Sequence, residues 1–273
     1  MSLPVRCAVL GSPIAHSLSP ELHRAAYAEL GLDGWSYERF EMTEAELPGF
    51  VAGCDESWRG LSLTMPLKVV ALRLGEVDPL AALVGAANTL IFAADGRRVH
   101  NTDVGGLVSA VQQAVSEVPR RVTILGAGAT ARSSLVSAAQ LGAATVTLVA
   151  RDPAKAGSLR PLADTLEVEL AIQGWDDQLP PADLVVSTVT AGAADHRAEQ
   201  IAASAPAVFD AVYDPWPTPL AVAAERAGCT VLNGLDLLVG QAVLQIELMT
   251  GRRVSPELLL SAGREALRTR TSR

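Results

Sequence analysis

A short apolar run, Arg121–Leu125, is followed by Gly126-Ala127-Gly128-Ala129-Thr130-Ala131. A helix-like stretch, Ala129–Leu141, and a second apolar run, Thr145–Val149, come next. Strand, glycine turn, helix and strand commit a chain to a parallel sheet, because parallel neighbours need a long crossover between them. The turn fits G-x-G-x-x-[GA], with Ala131 in the last slot. In that pattern the first glycine permits the tight turn and the second lets backbone approach a pyrophosphate. A small third residue lets helix and sheet pack closely. Amides at the helix start favour phosphate. Gly126, Ala127, Gly128, Ala129 and Thr130 are therefore candidate contacts to a dinucleotide. A purely structural turn is the competing reading.

The same alternation continues downstream. Leu184–Ser187, Val208–Phe209 and Thr230–Leu232 read as further strands, which predicts a doubly wound parallel sheet. Upstream, Val5–Leu10, Trp35–Phe40 and Leu61–Thr64 read as strands. Pro20 suits the first turn of a helix running to Leu30, and Pro66 is expected to open a helix carrying Lys68. Asn88–Phe92 and Arg98–His100 flank Asp95-Gly96, a hairpin signal. This N-terminal part is thus α/β with some antiparallel pairing. Leu107–Val115 reads as a connecting helix. Leu235–Met249 and Ser255–Leu267 are helical with no strand after them, so they are expected to return to the first domain. The expected class is α/β: an N-terminal α/β substrate domain, 1–104 and 235–273, plus a Rossmann-like doubly wound domain, 105–234.

Composition excludes several alternatives. A chain of 273 residues with 49% hydrophobic and 19% charged residues can bury a sizeable core. A net charge of −8 argues against a nucleic-acid partner. No apolar stretch is long enough to span a membrane, and Met1–Leu10 lacks the pattern of a signal peptide. Cys7, Cys54 and Cys229 show no paired spacing, and His16, His23, His100 and His196 show no metal-ligand spacing. Neither a disulfide framework nor a metal is expected, and a cytoplasmic setting is.

Several polar residues stand apart from the core pattern. Ser17 and Ser19 flank one apolar residue before a helix and read equally as donors to a carboxylate or as a cap. Lys68 suits proton transfer if a cleft desolvates it, and is otherwise an ordinary surface lysine. Asp103 ends Asn101-Thr102-Asp103, where a turn aspartate is the alternative, and Asn88 either donates to a hydroxyl or braces a strand end. The strand ending Val149-Ala150 offers no carboxylate for a ribose 2′-hydroxyl. Arg151 can instead pair with a 2′-phosphate, with Lys155 adding charge. Asp152 opposes a phosphate if it points inward, and a solvated Arg151–Asp152 pair is the alternative. Hydroxyls, a lysine, an amide and a carboxylate preceding a dinucleotide turn point to hydride transfer on a small hydroxylated ring.

Taken in order, these segments resemble the shikimate dehydrogenase family, through nearly the whole chain. The carrying residues are Gly11–Pro20, Gly60–Lys68, Gly85–Leu90, Asn101-Thr102-Asp103, Val212–Pro215 with Thr218–Leu220, and Gly234–Ala242. The resemblance implies reversible reduction of 3-dehydroshikimate to shikimate with NADPH. Ser17 and Ser19 would hold the substrate carboxylate, with Thr64 and Tyr213 helping to position it. Asn88, Asp103 and Gln241 would bind ring hydroxyls. Lys68 would be the acid–base group with Asp103 its partner. Gly126, Ala127, Gly128, Ala129 and Thr130 would meet the pyrophosphate, Arg151 the 2′-phosphate, and Gly234 would lie near the nicotinamide. Ser62 departs from the pattern, standing where asparagine is usual. The chain is expected to act as a monomer or homodimer. The alternatives are an NAD-linked quinate or aminoshikimate dehydrogenase, a folate-type dehydrogenase with similar domains, and a nucleotide sensor without turnover.

Overall fold

The computed structural model describes residues 4–271. The chain separates into two compact units, one running to Thr102 and resuming at Leu238, the other spanning Asp103–Leu237.

The first unit opens with β1 (Val5–Gly11), α1 (Ser19–Glu29), β2 (Trp35–Glu41), α2 (Leu47–Ala52) and β3 (Trp58–Leu63). It continues with β4 (Glu76–Val77), α3 (Pro79–Val84), β5 (Thr89–Ala93) and β6 (Gly96–His100). These strands form one mixed sheet in the order β2-β1-β3-β5-β6-β4. β1 lies between its parallel neighbours β2 and β3, and β3, β5 and β6 pair antiparallel. Side chains alternate across β1 as period two requires. Ala8 and Leu10 join Leu61, Leu63 and Leu90 in one core. Cys7 and Val9 join Tyr27, Tyr37 and Ile91 in the other. Both faces of this sheet are therefore covered. At the hairpin, Ala93 pairs with Gly96, so Ala94 and Asp95 form the tip and Gly96 begins the return strand at φ 140°.

Pro66 does not open a helix. Residues 65–69 form a turn, followed by a short 3-10 segment at Val70–Arg73. The Lys68 carbonyl, which an α-helix would use internally, instead accepts the Ala87 amide at 2.8 Å. Lys68 is thereby tied to the approach to β5 rather than carried on a helix. The helix start at Pro20 is also modified: Ser19 is itself helical, the residue before it is Leu18, and no side chain caps this end.

The second unit contains α4 (Asp103–Ala114), β7 (Arg121–Leu125), α5 (Ala129–Leu141), β8 (Thr145–Ala150), α6 (Pro153–Gly157) and α7 (Arg160–Thr165). Then come β9 (Glu169–Gly174), β10 (Leu184–Ser187), α8 (Ala198–Ala202), β11 (Ala207–Asp210), α9 (Pro219–Arg226) and β12 (Thr230–Asn233). The sheet order is β12-β11-β10-β7-β8-β9, with every neighbouring pair parallel. The central strands are almost wholly buried, as a sheet covered by helices on both faces demands. The order in which strands are added reverses between β7 and β10, and ligands of such sheets bind outside the strand ends at that point. α10 (Gly234–Thr250) carries the chain into the first unit, where α11 (Pro256–Thr271) packs on α1.

Candidate functional site

In the first unit, parallel β1 and β3 bring their carboxyl ends together. The Thr64 amide donates to the Leu10 carbonyl, and the Ser12 amide to the Met65 carbonyl, both at 2.9 Å. A Cβ on Gly11 would sit 2.3 Å from Thr64 Cγ2. Only glycine lets the strand end approach Thr64 this closely. The antiparallel partner adds the next residues, because the Leu63 amide donates to the Asn88 carbonyl at 2.7 Å. The Asn88 amide donates in turn to the His100 carbonyl at 3.0 Å. Thr64, Lys68, Asn88 and the Asn101-Thr102 segment thus gather at one sheet end.

Asn88 is buried and thoroughly engaged. Its Oδ1 accepts from the Thr102 amide at 2.8 Å, Thr102 Oγ1 at 3.1 Å and Thr89 Oγ1 at 3.0 Å. Its Nδ2 donates to Thr102 Oγ1 at 2.9 Å and to Gln241 Oε1 at 2.8 Å. Gln241, half-buried on α10, is therefore in direct contact with Asn88. One helical turn on, Gln245 is buried beneath it. Its Nε2 donates to Thr89 Oγ1 at 3.1 Å, and its Oε1 accepts from Ser62 Oγ at 2.8 Å. Ser62 Oγ accepts from the Tyr37 hydroxyl at 2.6 Å, and Ser19 also reaches that hydroxyl. A directed chain of hydrogen bonds runs from Ser19 through Tyr37, Ser62 and Gln245 to Asn88. The short Ser62 hydroxyl thus serves the protein interior.

His23 closes this network. Its ring stacks on Tyr37 with centroids 3.9 Å apart, and its Nε2 lies 3.4 Å from Gln245 Oε1. Because Gln245 Oε1 accepts, Nε2 carries the proton and Nδ1 is a buried acceptor without a partner. Burial lowers the imidazole to about 3, with the Gln245 hydrogen bond opposing. The folded pKa lies below the unfolded value, so the neutral ring stabilises the fold fully above about 6.5 and progressively less as pH falls from there toward 3. Between pH 7 and pH 5 wild-type protein is expected to lose about 2 kcal/mol more stability than His23→Phe. Denaturant midpoints at the two pH values check this, and equal losses would contradict it.

The second unit holds a separate pocket at the reversal between β7 and β10. Gly126, Ala127, Ala150, Arg151, Asp152, Lys155 and Thr188 are among its lining residues, and its volume is about 530 Å³. Gly126 has φ 115°, and a Cβ there would meet Thr188 Oγ1 at 2.4 Å. Gly128 caps the start of α5, and a Cβ on it would meet nothing within 4 Å. Its missing side chain leaves open space before the amides of Ala129 and Thr130, as a phosphate at a helix start requires. Ala131 is fully buried, the small contact the motif needs. The Asp152 carboxylate caps α6, accepting from the Ala154 and Lys155 amides at 3.0 and 3.2 Å. Arg151 and Lys155 therefore remain basic groups on the wall. These residues fit a phosphorylated dinucleotide.

Asp103, Tyr213 and Gly234 also belong to the second unit. Asp103 is buried as the first residue of α4, next to Thr102 in the chain. Gly234 begins α10, with Tyr213 beside it. The sequence reading did not single out Tyr37 or Gln245, nor Trp175, which lines the second pocket beside His196 and donates to its Nε2 at 3.4 Å. The Gln245 spacing from Gln241, one α-helical turn, was the available signal. Among the described residues, no group of three or more His, Cys, Asp or Glu side chains is placed to hold a metal ion. None of the described helices is long and apolar enough to cross a membrane.

The all-parallel reversing sheet and its glycine-edged pocket define a dinucleotide-binding α/β protein. Residues 9–90 match the family described as the shikimate dehydrogenase substrate binding domain. The NADP⁺-dependent shikimate dehydrogenase of Methylobacterium radiotolerans is 37% identical over 93% of this chain and 94% of its own length. The crystal structure of Mycobacterium tuberculosis shikimate dehydrogenase is 41% identical with a TM-score of 0.90, covering 96% of this chain and 100% of that one. The shikimate 5-dehydrogenase of Thermus thermophilus, in complex with NADP(H) and shikimate, is 32% identical with a TM-score of 0.82, covering 96% and 99%. The chain belongs to the shikimate dehydrogenase family.

Proposed function

We propose that this chain catalyses the reversible NADPH-dependent reduction of 3-dehydroshikimate to shikimate. The observation that supports this most is the cluster of Thr64, Lys68, Asn88 and Gln241 at one sheet end, in a chain that also carries a pocket suited to a 2′-phosphorylated dinucleotide. NADPH, when bound, supplies the hydride. The glycine turn and the start of α5 hold its pyrophosphate, and Arg151 and Lys155 its 2′-phosphate. Gly234 would border the site of its nicotinamide. Ser17 and Ser19 hold the substrate carboxylate, with Thr64 and Tyr213 orienting it. Asn88, Asp103 and Gln241 bind ring hydroxyls. An incoming hydroxyl replaces Gln241 at the second Asn88 amide hydrogen, so the buried chain through Gln245 keeps Asn88 aimed in its absence. Lys68 Nζ delivers a proton to the carbonyl oxygen as it becomes a hydroxyl, and Asp103 holds that oxygen. The reading includes a cytoplasmic location, and a chain acting as monomer or homodimer without nucleic acid.

Oxidation of shikimate and quinate with NADP⁺ and with NAD⁺ tests the substrate and cofactor together. Preference for shikimate and NADP⁺ is expected, whereas quinate turnover with NAD⁺ alone would overturn the reading. Arg151→Ala is expected to weaken NADPH binding about tenfold or more and NADH binding little, because a charge-assisted contact to the 2′-phosphate is lost. Calorimetric titration of both cofactors reads this directly. Equal loss for both would remove Arg151 from 2′-phosphate recognition.

A further inference from the structure

The Ser17 segment is irregular backbone between β1 and α1, yet it is tied at both ends. At its start, Ser12 Oγ and the Ile14 amide donate to the Glu41 carboxylate at 2.5 and 3.1 Å. At its end, two guanidinium groups converge on neighbouring carbonyls. Arg270, near the end of α11, donates from Nη1 to the His16 carbonyl at 2.8 Å and from Nη2 to the Ser17 carbonyl at 3.2 Å. Arg39, on β2, donates from Nη2 to the same Ser17 carbonyl at 3.0 Å. Glu21 on α1 aligns Arg39, accepting from its Nη2 at 2.8 and 2.9 Å, and its carboxylate lies 3.7 Å from Arg270 Nη2.

Two arginines, from β2 and α11, thus hold one peptide carbonyl, and Glu21 on α1 aligns them. A helix-terminal arginine with only a surface role has no reason to take two consecutive carbonyls of a loop. Two donors on the Ser17 carbonyl fix the plane of the Ser17–Leu18 peptide. That plane sets where the hydroxyls of Ser17 and Ser19 stand relative to each other.

We propose that Arg270, acting with Arg39, is a positioning residue that presets the Ser17 segment for a carboxylate-bearing substrate. This rests on the reading of Ser17 and Ser19 as the carboxylate contacts. The C-terminal helix therefore contributes to substrate affinity without touching the substrate.

Arg270→Ala tests this. The side chain lies on the wall of an open cavity of about 610 Å³, so its loss leaves no sealed void. The expected result is a rise in KM for shikimate of roughly tenfold, from lost charge-assisted hydrogen bonds. The values of kcat and of KM for NADP⁺ should stay within about twofold on the same grounds. Arg270→Lys, which can reach a single carbonyl, is expected to recover part of the loss. The methyl ester of shikimate, which lacks the anionic group, supplies the second readout, and the preference for shikimate over the ester should narrow in Arg270→Ala. An unchanged KM and an unchanged ester ratio would overturn the proposal. So would equal losses in kcat, in KM for both substrates and in melting temperature, which mark a general structural role. Wild-type protein inert toward shikimate would overturn the underlying reading of the serines, and the proposal with it, an outcome distinct from either of these.

Discussion

Lys68→Ala is expected to lower kcat about 10²- to 10⁴-fold, the usual contribution of a positioned acid–base group, with a modest change in KM. The reasoning starts from backbone. Lys68 sits in a turn whose shape depends on its carbonyl accepting from Ala87, and on the Leu67 amide donating to Thr64 at 2.8 Å. Neither bond involves its side chain. The flanking Leu67 is fully buried and anchors the turn from within. Truncation at Lys68 should therefore leave the backbone bonds of the turn in place. What disappears is the ammonium proposed to move the proton. Steady-state kinetics beside a thermal scan separate the two effects. A variant with near-normal kcat would remove Lys68 from the reaction. A variant with a depressed melting temperature would show that the side chain has a structural part.

Gly234→Ala is expected to cost about 3 kcal/mol of stability or more, since overpacking against rigid neighbours reaches that range. A Cβ at this position would lie 2.0 Å from the Ala211 carbonyl oxygen, 2.8 Å from its carbon and 3.0 Å from Tyr213 Cδ1. The nearest atoms belong to backbone and cannot swing away as a flexible side chain would. That backbone is itself fixed: the Ala211 amide donates to the Ser187 carbonyl at 2.9 Å, and the Gly234 amide to the Val212 carbonyl at 3.2 Å. The neighbouring Asp210 is buried, which raises its carboxyl pKa. It accepts from Thr218 Oγ1 at 2.8 Å and from the Val212 amide at 3.3 Å. Relief of the overlap must move the loop that bears Tyr213. Loss of affinity for shikimate should accompany the loss of stability. Chemical denaturation checks the first and KM the second, and a variant as stable as wild type would refute the packing argument.

The two glycines that matter most were visible in the sequence for different reasons. Gly126 stood out through its motif, and the structure adds the positive φ and the contact with Thr188 that require it. Gly234 stood out only through resemblance, and its close approach to Ala211 depends on a chain separation of more than twenty residues that no local pattern reports. The parallel strands of the second unit were legible because burial on both faces leaves continuous apolar runs. Its edge strand β9 was not: Glu169-Leu170-Ala171-Ile172-Gln173-Gly174 is partly exposed, and charged and small residues break the run. The short helices α6, α7 and α8 fall below the length at which helical periodicity declares itself.

The polar site shows the same division. Ser17, Lys68 and Asn88 were named from residue type and position, and Gln241 through the resemblance alone. The network beneath them was hidden, because Ser62 and Gln245 read as isolated polar exceptions in an apolar strand and helix, and Tyr37 as one aromatic residue in the mixed strand β2. Only strand register brings them together, with Ser62 opposite Thr89 across β3 and β5. The Pro66 segment misled for a local reason. Proline suits a helix start, but the demand of the Ala87 amide for the Lys68 carbonyl competes with helix formation and prevails.

The most direct test of the whole account is the initial rate of NADPH oxidation with 3-dehydroshikimate, measured beside NADH under the same conditions. The account predicts rapid turnover with NADPH, shikimate as the product, and a much lower kcat/KM with NADH. No turnover with either cofactor would contradict it and leave a dinucleotide-binding fold without this reaction.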